Sequence, residues 1–300
     1  MALSLDLMTA RSSAANVERF AAAALVDVQS WGSAGAMEHK INAYTTWATN
    51  VSGQLGNVLD RYAVHEWMYD DNYWRTQHMA HDRTMSSEGP SRQMLDREAD
   101  RRRHQLEALV KEAQQARERW GEPIDLVVLD TNVVMEVFGK NGPDGRLVAE
   151  HLPWALAIGL LKDSDLRLVI PWPVLRELDR LKRHGKAGNL AQGTIRSLDE
   201  LSVNGDAPTK LRPLTVGLDE QNRTNRRRAP LTVEFYVRKE DRATDDADLE
   251  IIKAAAHLGR ISPATVCLAS RDINATVRAK VWGVNAFFIK THLEKPPSVV

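Results

Sequence analysis

Four acidic residues occupy positions where predicted strands and helices begin or end. Asp130 directly follows the apolar run 126–129, and Asp272 comes just after a second apolar run. Glu177 lies about one turn into a predicted helix, and Asp248 lies at the start of another. Carboxylates are the ligands that Mg²⁺ and Mn²⁺ prefer, whereas carboxylates gathered without a cation repel one another and raise each other's pKa. The four acids therefore predict a site for a hard divalent cation.

Each of these acids, taken alone, also has a purely structural interpretation. Asp130 can cap the end of a strand, and Glu177 can pair with Arg180 on the surface of a helix. Asp248, or its neighbour Asp246, can be the N-cap of a helix. The metal-site hypothesis depends on the four acids together, because each stands next to an apolar strand or at a helix start.

The elements that must position these acids alternate between strand and helix from residue 124 onward. The predicted strands are 125–130, 166–171, 264–270 and 286–290, and the predicted helices are 146–163, 173–182, 189–201, 247–258 and 273–281. This alternation is typical of an α/β fold, and we expect a parallel sheet of four or five strands. Open parallel sheets place their ligand sites at the carboxyl ends of the strands, where the acids would converge.

The first 120 residues follow a different pattern, which predicts a mainly α-helical N-terminal region. Apolar residues recur there at three- and four-residue spacing. We expect a break at 86–92, which contains a Gly-Pro pair, and then one long charged helix at 94–120. Three histidines in 65–81 could form a metal site, although their spacing also fits an ordinary packed helix face. The N-terminal helices are a candidate surface for a protein partner or for self-association.

Composition limits the classes of protein to which the chain can belong. The 300 residues are 43% hydrophobic and 27% charged, which is typical of one large or two ordinary globular domains. Lys and Arg total 40, as do Asp and Glu, so any nucleic-acid partner must be bound through local basic patches. Cys267 is the only cysteine, which excludes internal disulfides and multi-cysteine zinc sites. No apolar run reaches membrane-spanning length, and we expect a cytoplasmic protein without a membrane partner.

The four acids lie in four segments that each pair an acid with an apolar frame: VVLDTNVVM, LVIPWPVLRELDRLK, TDDADLEII and LASRDINATVRAKVWGVNAFFI. These segments resemble, in the same order, the signature segments of PIN-domain ribonucleases. The second segment most resembles the branch found with PhoH-like proteins and in eukaryotic mRNA-surveillance endonucleases. The likeness covers roughly residues 124–292, with a basic insertion around 204–243 that is longer than in the compact members.

The resemblance implies a three-layer αβα fold with a central parallel sheet, and metal-dependent hydrolysis of RNA to a 5′-phosphate and a 3′-hydroxyl. The cofactor implied is Mg²⁺ or Mn²⁺, and the residues that match the acidic positions of the family are Asp130, Glu177, Asp248 and Asp272. Asp248 is preferred because two isoleucines follow it at the family's spacing, with Asp245 and then Asp246 as its rivals. Three further residues, Thr131, Asn132 and Ser270, match positions that would orient the carboxylates.

Four arginines in the loop 221–230 precede the third acidic segment. Arginine suits phosphate because its guanidinium donates two parallel hydrogen bonds. We therefore expect Arg223, Arg226, Arg227 and Arg228 to grip the RNA backbone, the alternative being a solvated loop that serves solubility.

Three other functions share parts of the pattern. A phosphatase with an aspartyl nucleophile usually has a second acid two residues after the first, where this chain has Asn132. A flap-type DNA nuclease uses the same acidic chemistry and differs only in its substrate. A non-catalytic RNA-binding protein on a PIN fold is disfavoured because all four acids are present.

Overall fold

The computed structural model divides the chain into two compact units. One unit comprises Met1–Gly121 with Arg260–Ser262, and the other comprises Glu122–Gly259 with Pro263–Val300. The structure describes residues 2–9, 12–32, 37–81, 88–141, 145–152, 154–159, 165–183, 185–202, 208–212, 215–218, 225–228, 231–237, 244 and 246–289. Within these ranges, no helix has both the length and the apolar character needed to cross a membrane.

The N-terminal unit is mainly helical, which confirms the sequence prediction for this region. A short 3-10 helix at Leu5–Leu7 precedes helices α1 (Ala14–Gly32), α2 (Met37–Leu55), α3 (Arg61–Met68), α4 (Asp71–His81) and α5 (Glu88–Trp120). The predicted break at 86–92 is wrong in part, because α5 begins at Glu88 and includes Pro90. A proline in the first turn of a helix has no intrahelical hydrogen-bond partner to lose, so it does not prevent the helix from starting there.

A network of buried charges links the helices of this unit. Glu98 on α5 accepts hydrogen bonds from Tyr44 (3.0 Å) and from Arg102 (2.7 Å). Arg102 also donates to the main-chain carbonyls of Trp67 and Met68, and its guanidinium lies 4.7 Å from the Trp67 ring. Each of these two buried charges therefore has a partner of opposite sign together with neutral hydrogen-bonding groups.

The histidine segment of this unit lies on α3 and α4. His65 is exposed and its ring contacts that of Tyr69 in a tilted arrangement, with 4.8 Å between the ring centroids, and His78 is also exposed. The side chain of His81 lies outside the described residues. No group of three metal-binding side chains occurs in the described parts of the chain, including these histidines.

The C-terminal unit alternates strands and helices, as predicted. Its elements are β1 (Asp125–Leu129), α6 (Thr131–Phe138), α7 (Val148–His151), α8 (Trp154–Ala157), β2 (Leu166–Pro171), α9 (Trp172–Leu181), α10 (Gly185–Ser202), β3 (Thr209–Arg212), β4 (Thr215–Leu218), β5 (Asn225–Arg228), β6 (Leu231–Tyr236), α11 (Ala247–Ile261), β7 (Val266–Ser270), α12 (Ile273–Val281) and β8 (Asn285–Phe288). The predicted helix 146–163 is instead seen as the short helices α7 and α8.

Six strands form one mixed sheet in the order β3-β6-β2-β1-β7-β8. The five strands from β6 to β8 run parallel, and β3 pairs antiparallel with β6 at one edge. All six residues of β2 are buried. Because successive strand residues point to opposite faces, both faces of the sheet are covered at β2. The predicted α/β fold with a central, mostly parallel sheet is confirmed.

Two strands in the basic insertion were not predicted. β3 adds the antiparallel edge, and β5 lies within the predicted loop 221–230. β5 pairs antiparallel with β4 as a separate two-stranded sheet, in which Gly217 is opposite Arg226 and Thr215 is opposite Arg228. Polar strands of this kind carry no apolar alternation, so the sequence gives no sign of them.

Candidate active site

Asp130 lies where the central strand β1 ends and α6 begins. Its main-chain N–H donates to the Ala269 carbonyl at 3.0 Å, so the β1–β7 ladder fixes its position. The side chain is buried, and Ser270 Oγ donates to its Oδ2 at 2.7 Å. Burial raises the pKa of Asp130, and the charges of Asp248 and Glu177 add to this effect, whereas the Ser270 hydrogen bond opposes it.

Glu177 projects from α9, the helix that directly follows the buried strand β2. The hydroxyl of Thr131, the residue after Asp130, donates to Glu177 Oε2 at 2.6 Å. A guanidinium nitrogen of Arg180 lies 3.9 Å from Oε1, so the predicted helix-surface pair is also present, at a longer distance. Glu177 is thereby held against the first turn of α6, beside Asp130.

Asp248 lies in the first turn of α11, and its neighbour Asp246 is the residue that caps this helix. Asp246 Oδ1 accepts a hydrogen bond from the Leu249 N–H at 2.9 Å. Burial raises the pKa of Asp248, followed by the charges of Glu177 and Asp272. Asp246 is therefore the N-cap of α11, while Asp248 is within electrostatic range of Glu177 and Asp272. Asp245, the main rival at the sequence level, lies outside the described residues.

Asp272 is the N-cap of α12, immediately after β7. Its Oδ1 accepts a hydrogen bond from the Asn274 N–H at 2.7 Å, and its own N–H donates to Ser270 Oγ at 2.9 Å. Ser270 is fully buried. One serine hydroxyl therefore links the main chain of Asp272 to the carboxylate of Asp130.

The four acids form an electrostatically coupled group without being in ligand contact around one point. Asp130 is coupled to Asp248 and Glu177, and Asp248 is coupled to Asp272. Among the residues that the structure describes, no three His, Cys, Asp or Glu side chains are close enough to hold a metal ion as they stand. Their spacing is set by separate hydrogen-bond donors. The all-carboxylate donor set nevertheless fits the chemistry of a hard divalent cation.

Asn132 and the arginines of the insertion stand apart from this group. Asn132 is exposed, and its side chain has no hydrogen-bond partner among the described residues. Arg226, Arg227 and Arg228 form part of β5, but their side chains are outside the description, as is the whole of Arg223. Their contact with RNA remains a prediction.

Two ion pairs beside the acids were missed at the sequence level. Arg278 of α12 pairs with Asp246, with the closer contact at 2.6 Å between Nη2 and Oδ2. Arg176 of α9 pairs with Glu250 of α11, which also accepts a hydrogen bond from the Thr244 N–H. The partners are 32 and 74 positions apart, so no local pattern could have revealed them.

The sequence model of the PIN domain family matches residues 127–290, which is more than half of the chain. A structure titled "A domain of a functionally unknown protein from Methanocaldococcus jannaschii DSM 2661" is similar at 19% identity and a TM-score of 0.32, over 58% of this chain and 98% of that chain. No curated protein matches. The family match shows that the chain belongs to the PIN domain family.

Proposed function

We propose that this protein is a metal-dependent endoribonuclease that hydrolyses RNA phosphodiester bonds at the carboxyl edge of its sheet. PIN domains are generally nucleases, and such nucleases generally use divalent metals. The observation that carries the proposal is that hydrogen bonds bring acids from distant parts of the chain together: Ser270 joins Asp130 to the main chain of Asp272, and Thr131 holds Glu177 beside Asp130. Asp248 is within electrostatic range of this group. Like charges brought this close are unfavourable unless the site has a use for them.

The four carboxylates are the groups that would hold Mg²⁺ or Mn²⁺. Asp130 and Asp272 would be direct ligands, Asp248 would complete the shell directly or through water, and Glu177 would hold a second cation or orient the attacking water. A bound cation would activate water for attack on phosphorus and offset charge on the leaving oxygen. The expected products are a 5′-phosphate and a 3′-hydroxyl.

The surrounding residues orient these carboxylates before substrate arrives. Ser270 directs Oδ2 of Asp130 by its hydrogen bond of 2.7 Å, and Thr131 directs Oε2 of Glu177 at 2.6 Å. Groups that fix a carboxylate in this way preserve the geometry that a ligand needs. Thr131 and Ser270 are therefore assigned as positioning residues, while Asn132, which is exposed, is available to contact the substrate.

The first experiment is a cleavage assay on single- and double-stranded RNA and DNA, with Mg²⁺, with Mn²⁺ and with EDTA. RNA should be cleaved only with metal, and preferential cleavage of branched DNA would favour the flap-type alternative. Asp130→Asn should lose several orders of magnitude in rate, because it removes an anionic ligand from a hard cation. The matched control is Asp125→Asn, at the opposite end of the same strand, which should keep its activity. Full activity of Asp130→Asn would refute the site.

The arginines of the insertion supply the second prediction. Replacing Arg226, Arg227 and Arg228 with alanine should weaken RNA binding for all sequences and flatten its dependence on salt, because fewer counterions are released. Binding is measured at several salt concentrations in EDTA, with thermal unfolding as the check that the fold is intact. An unchanged salt slope would show that this strand does not contact the RNA backbone.

A further inference from the structure

Arg278 lies within electrostatic range of Asp248, one of the four acids, and is not one of the residues that the sequence pattern selects. Its Nη1 and Nη2 contact Oδ1 and Oδ2 of Asp246 at 3.3 and 2.6 Å. Asp246 caps α11 two residues before Asp248, and Arg278 belongs to α12, the helix capped by Asp272. Burial raises the pKa of Asp248 and the charge of Arg278 partly opposes this rise, so the guanidinium is within electrostatic range of that carboxylate.

The two arginine pairs at the site differ in burial, and this difference separates their roles. In the pair of Arg176 with Glu250, the carboxylate side chain is only 8% exposed and also holds the Thr244 N–H. Breaking that pair would leave a buried charge without its partner, which is strongly unfavourable. In the pair of Arg278 with Asp246, the side chains are 40% and 44% exposed. An exposed pair contributes little to stability and can be exchanged readily.

Releasing Arg278 from Asp246 would cost the site nothing that it needs. Asp246 keeps its capping hydrogen bond to the Leu249 N–H, so the start of α11 is preserved. Asp246 is not one of the four acids assigned to the cation, so none of them loses a partner. The neighbouring Val277 on α12 is 55% exposed, and Ile273 is 63% exposed, so the outer surface of this helix is open to a polymer.

We propose that Arg278 binds a backbone phosphate of the nucleic-acid substrate, exchanging the carboxylate of Asp246 for the phosphate oxygens. This inference rests on the proposed function. A phosphate that approaches four carboxylates is repelled by them, and a guanidinium beside them offsets part of this repulsion and offers two parallel hydrogen bonds to phosphate oxygens. Arg176 remains bound to Glu250 and connects α9 to α11, so it keeps a structural role.

The test compares Arg278→Ala with Asp246→Asn, using fluorescence anisotropy of labelled single-stranded RNA in EDTA, where no cleavage occurs. Arg278→Ala should weaken binding about fivefold at 0.1 M salt and reduce the log–log salt slope by about 0.7, the value for one phosphate contact to a single strand. Asp246→Asn should bind as tightly as the wild type or more tightly, because Arg278 is freed while asparagine still caps the helix. Arg278→Lys should recover part of the affinity.

Two outcomes would overturn the inference. Unchanged affinity in Arg278→Ala would show that no phosphate is bound there. Equal losses in Arg278→Ala and Asp246→Asn would show that the pair only braces the two helices. The control is Arg117→Ala, which removes another exposed arginine that is paired with Glu18 on a helix of the N-terminal unit, and it should bind like the wild type.

The same set of variants separates this inference from the proposed function. Asp130→Asn should lose cleavage while still binding RNA in EDTA. If it cleaves normally, the proposed function fails whatever Arg278 does. If it is inactive while Arg278→Ala binds like the wild type, only the role of Arg278 fails. If the wild-type chain neither binds nor cleaves RNA, both proposals are wrong.

Discussion

The buried network of the helical unit and the acid group at the edge of the sheet treat buried charge in opposite ways. In the helical unit, buried Glu98 is surrounded by partners, namely two arginines and a tyrosine hydroxyl. At the edge of the sheet, buried Asp130 has a serine hydroxyl and a main-chain N–H as its hydrogen-bond donors, and the nearby charges that act on it are the like charges of Asp248 and Glu177. The first arrangement pairs Glu98 with charges of opposite sign, whereas the second leaves Asp130 within range of charges of its own sign.

This difference indicates which charges serve the fold and which serve a reaction. A paired buried charge fixes the register of the helices that contribute it. Removing either partner leaves the other as a buried charge without compensation, which is strongly unfavourable. A group of like charges makes the folded state less stable than a neutral group of the same shape would. Stability is commonly sacrificed in this way at functional sites. The contrast leads to opposite predictions for stability: neutralising Asp130 should stabilise the protein, whereas neutralising Glu98 should destabilise it.

The largest effect is expected for Arg102→Ala in the helical unit. Arg102 is fully buried and holds Glu98 together with the carbonyls of Trp67 and Met68. Its loss should lower the free energy of unfolding by about 3–5 kcal/mol, as for other broken buried pairs. Urea denaturation measures this change.

The adjacent residue provides the control for Arg102. Arg103 forms an exposed pair with Asp100, so Arg103→Ala should change the free energy of unfolding by less than about 1 kcal/mol. Equal effects of the two substitutions would mean that the buried network adds no more than a surface ion pair does, and the comparison between the two units would lose its basis.

A smaller effect, on activity, is expected for Ser270→Ala at the sheet edge. Loss of the hydrogen bond of 2.7 Å to Oδ2 removes a group that favours the charged form of Asp130, so the pKa of Asp130 should rise further. The acid limb of the kcat/KM profile should then move to higher pH. The rate at neutral pH should fall about 10- to 100-fold, which is typical when a group that orients a metal ligand is removed.

Another buried serine is the matched control for this pH profile. Ser262 donates to the Trp120 carbonyl at 2.8 Å, so Ser262→Ala removes a hydroxyl of similar burial without touching Asp130. Its pH profile should be that of the wild type. If Ser270→Ala lowers the rate without moving the acid limb, Ser270 supports the fold of the site and does not tune Asp130.

The sequence predicted the parts of this structure that depend on local pattern. Apolar runs followed by acids placed Asp130 and Asp272 at strand ends, because burial and turn chemistry act within a few residues. The sequence also indicated that Asp246 or Asp248 caps the helix α11, since a helix N-cap has a short-range signature. The family resemblance, which the sequence model of the PIN domain family confirms, added the order of the four segments.

Long-range pairing was beyond this reasoning. Arg278 and Asp246 are 32 positions apart, and the hydrogen bond between Arg102 and the Trp67 carbonyl spans 35. Nothing near an arginine in sequence specifies which distant carboxylate it will contact, because that choice depends on how the elements pack. The strand β5 was missed for a related reason, since its residues lack the apolar alternation that identifies a strand.

The smallest effect expected is a gain of stability in Asp130→Asn. Because the pKa of Asp130 is raised in the folded protein above its ordinary value of 3.8, the folded state binds more protons than the unfolded chain between the two values. The stability of the wild type should therefore fall as pH rises through this interval. Asparagine keeps the shape of the side chain and removes the cost of ionising it in the folded state. In EDTA the free energy of unfolding of the variant should therefore exceed that of the wild type by about 1 kcal/mol at neutral pH.

The pH dependence of this gain, compared with a substitution in the other unit, decides whether the contrast is correct. The difference between Asp130→Asn and the wild type should vanish well below pH 3.8, where the carboxyl is protonated in both the folded and the unfolded state, and reach a plateau above the raised pKa. Glu98→Gln, which neutralises the buried carboxylate of the paired network, should instead lower the free energy of unfolding at neutral pH, because Arg101 and Arg102 both lose this carboxylate as a partner. Urea denaturation of both variants across this pH range measures whether each one is more or less stable than the wild type. If both variants lose stability at neutral pH, the acids at the sheet edge are as well compensated as Glu98, and they do not form a strained group that a cation would relieve.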